Sequence, residues 1–223
     1  MNPYVVIDIG GTSIKYGLAD AKGQLLETHE MPTEAQKGGP HILNTTKEIV
    51  ARYLKKHALA GVAISSAGMV GPDKGEIFYA GPQIPNYAGT QFKKEIEETF
   101  QIPCEIENDV NCAGLAEVTT GHAKGSNNAV CLTIGTGIGG CLLLDGQVFH
   151  GFSNSACEVG YLHLPDGAFQ DLASTTALVE YVAEHHGDPV EQWNGRRIFK
   201  QATEGDKICM AGIDRMVAYL GKG

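Results

Sequence analysis

Two stretches of the chain each combine a short apolar run with a turn of glycine and threonine, a combination that can hold a phosphate group. The first reads IDIGGT over residues 7–12, and the second reads LTIGTGIGG over residues 132–140. Glycines let backbone amides approach an anion closely, and threonine adds a hydroxyl donor. The repeat therefore predicts two hairpins that grip the phosphates of one nucleotide from both sides. The donors that it predicts are Gly10, Gly11, Thr12, Gly135, Thr136 and Gly137.

Other glycine-rich patterns fit these stretches less well. A tight turn in a β-rich protein explains either stretch alone, but the duplication favours a shared function. A P-loop is excluded because the pattern GxxxxGK followed by Ser or Thr occurs nowhere in the chain. Gly135, Gly137 and Gly140 match the dinucleotide fingerprint GxGxxG, but that fingerprint must open a helix. Residues 141–149 indicate a β-hairpin instead, with its turn at Asp145-Gly146.

The elements that must position these turns are strands followed by alternating strands and helices. The pattern predicts strands over 4–9, 14–19, 24–31, 61–66 and 104–108, with helices over 41–57 and 91–100. It then predicts helices over 111–121, 175–185 and 206–220, and an irregular stretch over 151–171 after the second hairpin. This order indicates an α/β protein with a mixed sheet.

Composition argues against several partners and locations. With 223 residues, 43% of them hydrophobic, the chain can form one large or two small domains with a sizeable core. Acidic residues (26) outnumber Lys and Arg (17), and the basic residues are scattered, which argues against binding to nucleic acid or to a membrane. The sequence shows no signal-peptide pattern and no membrane-spanning apolar run, so a cytoplasmic location is predicted. Six cysteines without a Cys-x-x-Cys pair predict reduced, packed thiols.

Four ordered motifs give the chain a specific resemblance. They are DIGGT at 8–12, ENDVNC at 107–112, IGTGIGG at 134–140 and EVG at 158–160. In this order they resemble the ROK family of sugar kinases and sugar-responsive repressors, and the similarity extends over nearly the whole chain. Two smaller matches, SSAGMV at 65–70 and LAST at 172–175, support it.

The resemblance implies an α/β, actin-like ATPase fold of the hexokinase and Hsp70 type, with sugar and nucleotide in a cleft between two lobes. The expected N-terminal lobe covers residues 1–112, and the C-terminal lobe covers residues 113–223. The family continues beyond the last motif with a further strand and helices that hold adenine, so we expect a truncated second lobe and weak ATP binding. Dimers are common in the family, so a homodimer is a further expectation.

The resemblance also implies roles for two aspartates. Asp109 corresponds to the catalytic base, which takes the proton of a sugar hydroxyl as the γ-phosphoryl group of ATP departs. Asp8 corresponds to the residue that helps to hold Mg²⁺. Local explanations stay open for both positions, because Asn108 and Asp109 can cap the following helix and Asp8 can cap its own turn.

The sugar site that the resemblance implies departs from the family pattern. Gly68, Asn108 and Glu158 match sugar-contacting positions, and Tyr161 and Gln170 complete the predicted set as substitutions of a histidine and a second glutamate. That histidine binds zinc in most members together with three cysteines that fall within 164–170, and all four ligands are replaced here. No zinc is therefore expected at this position, as in the branch that includes β-glucoside kinases and N-acetylmannosamine kinases.

The leading hypothesis is an ATP- and Mg²⁺-dependent kinase that phosphorylates a hexose or hexose derivative, at the 6-hydroxyl. The main alternative is a catalytically impaired fragment that binds sugar or nucleotide. A sugar-responsive repressor is a weaker alternative, because it needs a helix-turn-helix domain before the DIGGT motif and only seven residues precede Asp8.

Overall fold

The structure is a computed structural model that describes residues 2–223. The chain divides into two compact units, Met1–Ala113 and Gly114–Gly223, and the boundary falls inside helix α3 (Asp109–Thr119). We call them unit 1 and unit 2. The boundary predicted from the sequence, after residue 112, lies one residue earlier.

Unit 1 is built on a five-stranded mixed sheet with the strand order β3-β2-β1-β4-β7. Between β4 and helix α2 the chain forms a separate two-stranded sheet of β5 and β6. The strands are β1 Tyr4–Ile9, β2 Ser13–Ala19, β3 Leu25–Pro32, β4 Gly61–Ser66, β5 Met69–Gly71, β6 Glu76–Tyr79 and β7 Cys104–Asn108. The helices that precede α3 are α1 Gly39–Leu54 and α2 Phe92–Phe100, with a 3-10 turn at Ala35–Lys37.

The central strand of this sheet is β1, which pairs with β2 in the antiparallel and with β4 in the parallel direction. Its alternate residues Val5, Ile7 and Ile9 are buried, because successive side chains of a strand point to opposite faces of the sheet. Helix α1 packs an apolar face onto the same core through Ile42 and Ile49. The predicted strands 4–9, 61–66 and 104–108 are confirmed at their bounds.

Unit 2 contains a three-stranded sheet with the order β10-β9-β8, a small β11–β12 hairpin and a group of helices. Its strands are β8 Ala129–Ile134, β9 Ile138–Leu144, β10 Gln147–Val148, β11 His163–Leu164 and β12 Gly167–Ala168. Its helices are α4 Phe169–Ala173, α5 Thr175–His186, α6 Gly195–Thr203 and α7 Lys207–Leu220, with 3-10 turns at Val159–Tyr161 and Val190–Gln192. Leu178, Val182, Trp193 and Cys209 form the core of the helical group.

The prediction of an irregular stretch over 151–171 is wrong in part, because it contains β11, β12 and the start of α4. Helix α6 also lies outside the predicted elements. It is nine residues long, is mostly polar and buries Ile198, and Asn194 provides a capping side chain that accepts from Arg197 N. Within residues 2–223 no helix combines the length and the apolarity needed to cross a bilayer.

Candidate active site

Polar residues collect at the carboxyl ends of the three parallel strands of unit 1. In the registers of β1, β4 and β7, Asp8 lies opposite Ser65, and Ser65 lies opposite Glu107. The next row places Ser66 opposite Asn108. The Ser65 hydroxyl donates to Asp8 Oδ1 at 2.8 Å, which holds the Asp8 carboxylate at the edge of the sheet. Parallel strands therefore bring side chains from three distant parts of the chain to one edge.

Asn108 links the end of β7 to helix α3. Its Oδ1 accepts from Val110 N at 2.9 Å and from Asn111 N at 3.1 Å, which is the bonding of a helix cap. Its Nδ2 donates to Asp109 Oδ1 at 3.0 Å and to the carbonyl of Gly68 at 2.9 Å. The capping hypothesis is thus correct for Asn108, and the same side chain brings two predicted sugar-contacting positions, 68 and 108, together.

Asp109 is the first residue of α3, and its side chain stays exposed to solvent. Its Oδ1 also accepts from Val110 N at 2.9 Å, which fixes the orientation of the carboxyl group. The surrounding protein partly desolvates this carboxyl, which raises its pKa, and the charge of Asp8 raises that pKa further. A carboxylate with a raised pKa in an open position can accept a proton from a bound hydroxyl.

Two residues at this edge were missed by sequence reasoning. Ser65 holds Asp8, as described above, and Glu107 Oε1 accepts from Asn108 N at 2.7 Å and from Asn111 Nδ2 at 3.0 Å. Glu107 therefore braces the turn that carries Asp109. Both residues lie within motifs that were recognised, so the parallel pairing of β1, β4 and β7 is the signal that could have found them.

Gly68 is required by its backbone geometry. It follows β4 with φ +91°, and a Cβ at this position would lie 2.9 Å from the carbonyl oxygen of Tyr79. Any other residue would be strained and crowded there. The loop therefore presents its backbone carbonyl to Asn108 instead of a side chain.

The first glycine turn joins β1 to β2. Gly10 N donates to Ser13 O at 3.0 Å, and the buried Thr33 donates its hydroxyl to Gly10 O at 2.6 Å. Gly11 and Thr12 are exposed, and a Cβ on Gly11 would meet no atom within 4 Å. The hydrogen bond from Thr33 therefore holds the backbone of the turn at Gly10, while Gly11 and Thr12 remain open to solvent.

The second glycine turn joins β8 to β9. Gly135 N donates to Gly137 O at 2.9 Å, and the Gly135 carbonyl accepts from Thr175 N at 2.9 Å, which ties the turn to the start of α5. Gly135 and Thr136 are exposed, and a Cβ on Gly135 would also meet nothing within 4 Å. Both turns thus leave open space beside one glycine, which is the space that a phosphate oxygen needs.

Gln170, one of the predicted sugar-contacting residues of unit 2, lies beside two glycines. It is the second residue of α4, and its Oε1 lies 2.7 Å from the position of a Cβ on Gly137 and 3.0 Å from that of a Cβ on Gly160. Glu158 precedes the 3-10 turn Val159–Tyr161, and Tyr161 is 59% exposed. Gln170 therefore lies between the β8–β9 turn and the 3-10 turn that follows Glu158, an adjacency that the sequence did not reveal.

The positions that correspond to the zinc ligands in the resemblance carry other residue types in this chain. Tyr161 occupies the histidine position, and the segment 164–170 forms the end of β11, the strand β12 and the start of α4. That segment reads LPDGAFQ and supplies no sulfur ligand.

Comparison with known proteins decides the family. The sequence model of the ROK family matches residues 4–223. The chain belongs to the ROK family. The resemblance carried by the four motifs is thereby confirmed.

Among ROK relatives, an uncharacterized protein of Clostridium perfringens is 48% identical over 223 residues, which are all of this chain and 76% of the relative. A β-glucoside kinase of Klebsiella pneumoniae is 32% identical, with 97% of this chain and 74% of the relative covered. A solved ROK glucokinase from Streptomyces griseus, in complex with glucose and AMPPNP, superposes with a TM-score of 0.81 at 26% identity, covering 98% of this chain and 77% of that one. The actin-like ATPase fold is confirmed, and the chain spans about three quarters of the length of these relatives.

Proposed function

We propose that this ROK protein is a sugar kinase that transfers the γ-phosphoryl group of ATP to a hexose or hexosamine hydroxyl, at position 6. The observation that carries the proposal is the edge of the unit 1 sheet, where Asp109 presents an exposed carboxylate of raised pKa beside Asn108 and Asp8. The β-glucoside kinase and the glucokinase with bound glucose and AMPPNP support the substrate class and the donor. The cytoplasmic location and the homodimer stay predictions.

Asp109 acts as the general base in this proposal. Its carboxylate accepts the proton of the attacking sugar hydroxyl while the oxygen of that hydroxyl forms its bond to the γ-phosphorus and the bond to the departing ADP breaks. Asn108 donates to Asp109 Oδ1, which leaves the second carboxylate oxygen to receive the proton. Because both residues sit at the junction of β7 and α3, the base is held on rigid elements, as phosphoryl transfer requires.

The residues at the two turns fit a nucleotide and a hard cation. The open space beside Gly11 and Gly135 admits anionic oxygens, and exposed Thr12 and Thr136 offer hydroxyl donors. Asp8 presents a carboxylate with Oδ1 already bonded to Ser65, which suits an oxygen-ligated Mg²⁺. When bound, Mg²⁺ supplies charge neutralisation of the phosphates.

Sugar selectivity is assigned to Asn108, Glu158, Tyr161 and Gln170, with Gly68 shaping the loop that contacts the ring. An uncharged Gln170 offers both a donor and an acceptor to a hydroxyl, whereas a carboxylate would only accept. We therefore expect a preference among hexose derivatives that differs from that of family members with glutamate at this position.

The test is ADP release over a panel of glucose, N-acetylmannosamine, N-acetylglucosamine and β-glucosides. In Asp109→Asn the turnover on the best sugar is expected to fall by about 10² to 10⁴, the contribution of a general base, while sugar and ATP binding persist. The matched control is Asp145→Asn, an exposed aspartate at φ +52° in the β9–β10 turn, where asparagine is well tolerated.

Equal turnover in Asp109→Asn and the unaltered chain would remove Asp109 as the base. Sugar and ATP binding without turnover on any sugar would favour the impaired binding protein over the kinase.

A further inference from the structure

Three side chains that bind transition metals converge in the helical part of unit 2, away in sequence from every residue assigned above. They are His186, Asp206 and Cys209, and their ligand atoms all lie within 4.8 Å of one another. None belongs to the segment 161–170 that corresponds to the zinc-binding positions of other ROK members. The cluster therefore needs its own explanation.

The fold builds this cluster from the end of one helix and the start of another. His186 is the last residue of α5, and Asp206 caps α7, with its Oδ1 accepting from Cys209 N at 2.9 Å. Cys209 is fully buried in the core of the helical group, and the side chains of His186 and Asp206 are 23% and 25% exposed. The cluster thus combines a buried sulfur with two side chains that are only partly exposed.

His186 is held in a fixed orientation toward the cluster. Its ring stacks on Trp193 with the centroids 4.7 Å apart, and its Nε2 lies 3.3 Å from Asp206 Oδ2. Nε2 is buried and makes no hydrogen bond to any residue of 2–223. A buried ring nitrogen without a hydrogen bond is costly, and either a proton shared with the Asp206 carboxylate or a metal ion bound between the two groups would remove that cost.

We propose that His186, Asp206 and Cys209 bind a divalent transition-metal ion of the Zn²⁺ and Co²⁺ class, with a water in the fourth position. One imidazole nitrogen, one carboxylate oxygen and one sulfur suit such ions, whereas Mg²⁺ prefers oxygen ligands alone. Three protein ligands leave one position of a tetrahedral ion for a water. When the metal–sulfur bond forms, the S–H bond of Cys209 breaks and its proton passes to the solvent.

Two further side chains, Gln201 and Arg197, lie close to the three ligands. Gln201 Oε1 lies 3.9 Å from Cys209 Sγ and offers a further oxygen beside the ligands. Arg197 stacks over the Trp193 ring at 4.1 Å, and its positive charge lowers the pKa of Cys209, although burial raises that pKa more. The ion would join the C-terminus of α5 to the N-terminus of α7, so its expected effect is to stabilise unit 2.

The experiment is a titration of the purified, reduced chain with Co²⁺, followed by displacement with Zn²⁺. We expect one equivalent to bind, with the thiolate-to-cobalt absorption that only a sulfur ligand produces, and a rise in the unfolding temperature. His186→Gln and Cys209→Ser should each weaken binding by at least about 100-fold, because loss of even an indirect contact costs 10- to 100-fold. The matched controls are the neighbouring His185→Gln and the half-buried Cys131→Ser, which should bind as the unaltered chain does.

Absence of stoichiometric binding, or equal binding in His186→Gln and His185→Gln, would overturn the metal site. Far-UV circular dichroism checks that each variant is folded. If Cys209→Ser does not fold, the partly exposed His186→Gln decides the outcome, because it leaves the buried core in place. Kinase activity does not enter this test, so its result is independent of the proposed function.

Discussion

The two glycine-turn hairpins of this chain share a local sequence pattern and differ in what surrounds them. In unit 1, β1 has a paired strand on each side, β2 and β4, and Ile9 just before the turn is fully buried. In unit 2, β8 pairs only with β9 among residues 2–223, and Ile134 just before the turn is 42% exposed. Val130 and Leu132 of β8 are also exposed, at 65% and 46%.

The comparison shows that the geometry of the glycine turn does not depend on how deeply the preceding strand is buried. The hairpin pattern fixes a glycine turn with open space beside it in both units, whereas burial of the preceding strand depends on neighbours that come from elsewhere in the chain. The chemistry also differs, because unit 1 has Asp8 two residues before its first turn glycine and unit 2 has Thr133 at the matching place. Only the first turn is therefore preceded by a carboxylate, at two residues before its first glycine.

The largest expected effect comes from truncating the matched isoleucines. Ile9→Ala removes a fully buried side chain and should lower the free energy of unfolding of unit 1 by about 2 to 5 kcal/mol. Ile134→Ala removes a half-exposed side chain from the edge strand and should cost less than about 1 kcal/mol. Urea unfolding followed by far-UV circular dichroism measures both.

Tryptophan fluorescence follows the unfolding of unit 2 separately, because Trp193 is the only tryptophan of the chain and belongs to unit 2. Its fluorescence should change little in the urea range where Ile9→Ala loses structure. Equal losses of stability in the two variants would contradict the difference in burial between β1 and β8.

The elements of the fold could be predicted where their sequence pattern is strong. Strands β1, β4 and β7 combine alternation or continuous apolar runs with clear turn residues, so their bounds were predicted correctly. Helix α1 begins at Gly39, earlier than predicted, because Pro40 lies in its first turn, where a missing N–H costs nothing. Helix α6 was missed because it is only nine residues long and mostly polar, with Ile198 as its buried residue.

The site was predicted one residue at a time, but its connections were not. The motifs identified Asn108, Gly68 and Gln170 separately. The hydrogen bond from Asn108 to the Gly68 carbonyl spans 40 residues, and the contact of Gln170 with Gly137 joins α4 to a hairpin turn. Such contacts depend on strand order and helix packing, and a single sequence fixes neither.

An intermediate effect is expected from filling the open space beside each turn. Gly11→Ala and Gly135→Ala place a methyl group where no atom lies within 4 Å, and neither glycine has a positive φ, so stability should change by less than about 1 kcal/mol. If phosphate oxygens occupy that space, the apparent affinity for ATP should fall about tenfold, which corresponds to about 1.4 kcal/mol. Steady-state kinetics with varied ATP, or calorimetry with a non-hydrolysable analogue, measures the effect.

The matched control for these two variants is Gly221→Ala at the end of α7, where φ is −78° and the added Cβ would meet only ordinary contacts of 3.6 Å or more. It should leave ATP affinity unchanged. A loss of affinity in Gly11→Ala alone would mean that the second turn is a structural element of its sheet and that the repeat does not serve one ligand.

The smallest expected effect concerns the charge that only unit 1 carries at its turn. Burial, and to a lesser degree the charge of Asp8, raise the pKa of Asp109, so kcat/KM for the sugar should fall with decreasing pH through an apparent pKa above the ordinary aspartate value of 3.8. The direction follows because a protonated Asp109 cannot accept the proton of the sugar hydroxyl, and a raised pKa keeps Asp109 protonated up to a higher pH.

Asp8→Asn removes the like charge, so the acid limb should move to lower pH, yet stay above the ordinary value because burial is the larger cause. Each profile is compared with its own plateau, since loss of a carboxylate near the phosphates also lowers turnover. An acid limb that stays in place in Asp8→Asn would show that the two carboxylates do not interact, and the carboxylate that only unit 1 has before its turn would then play no part in tuning the base.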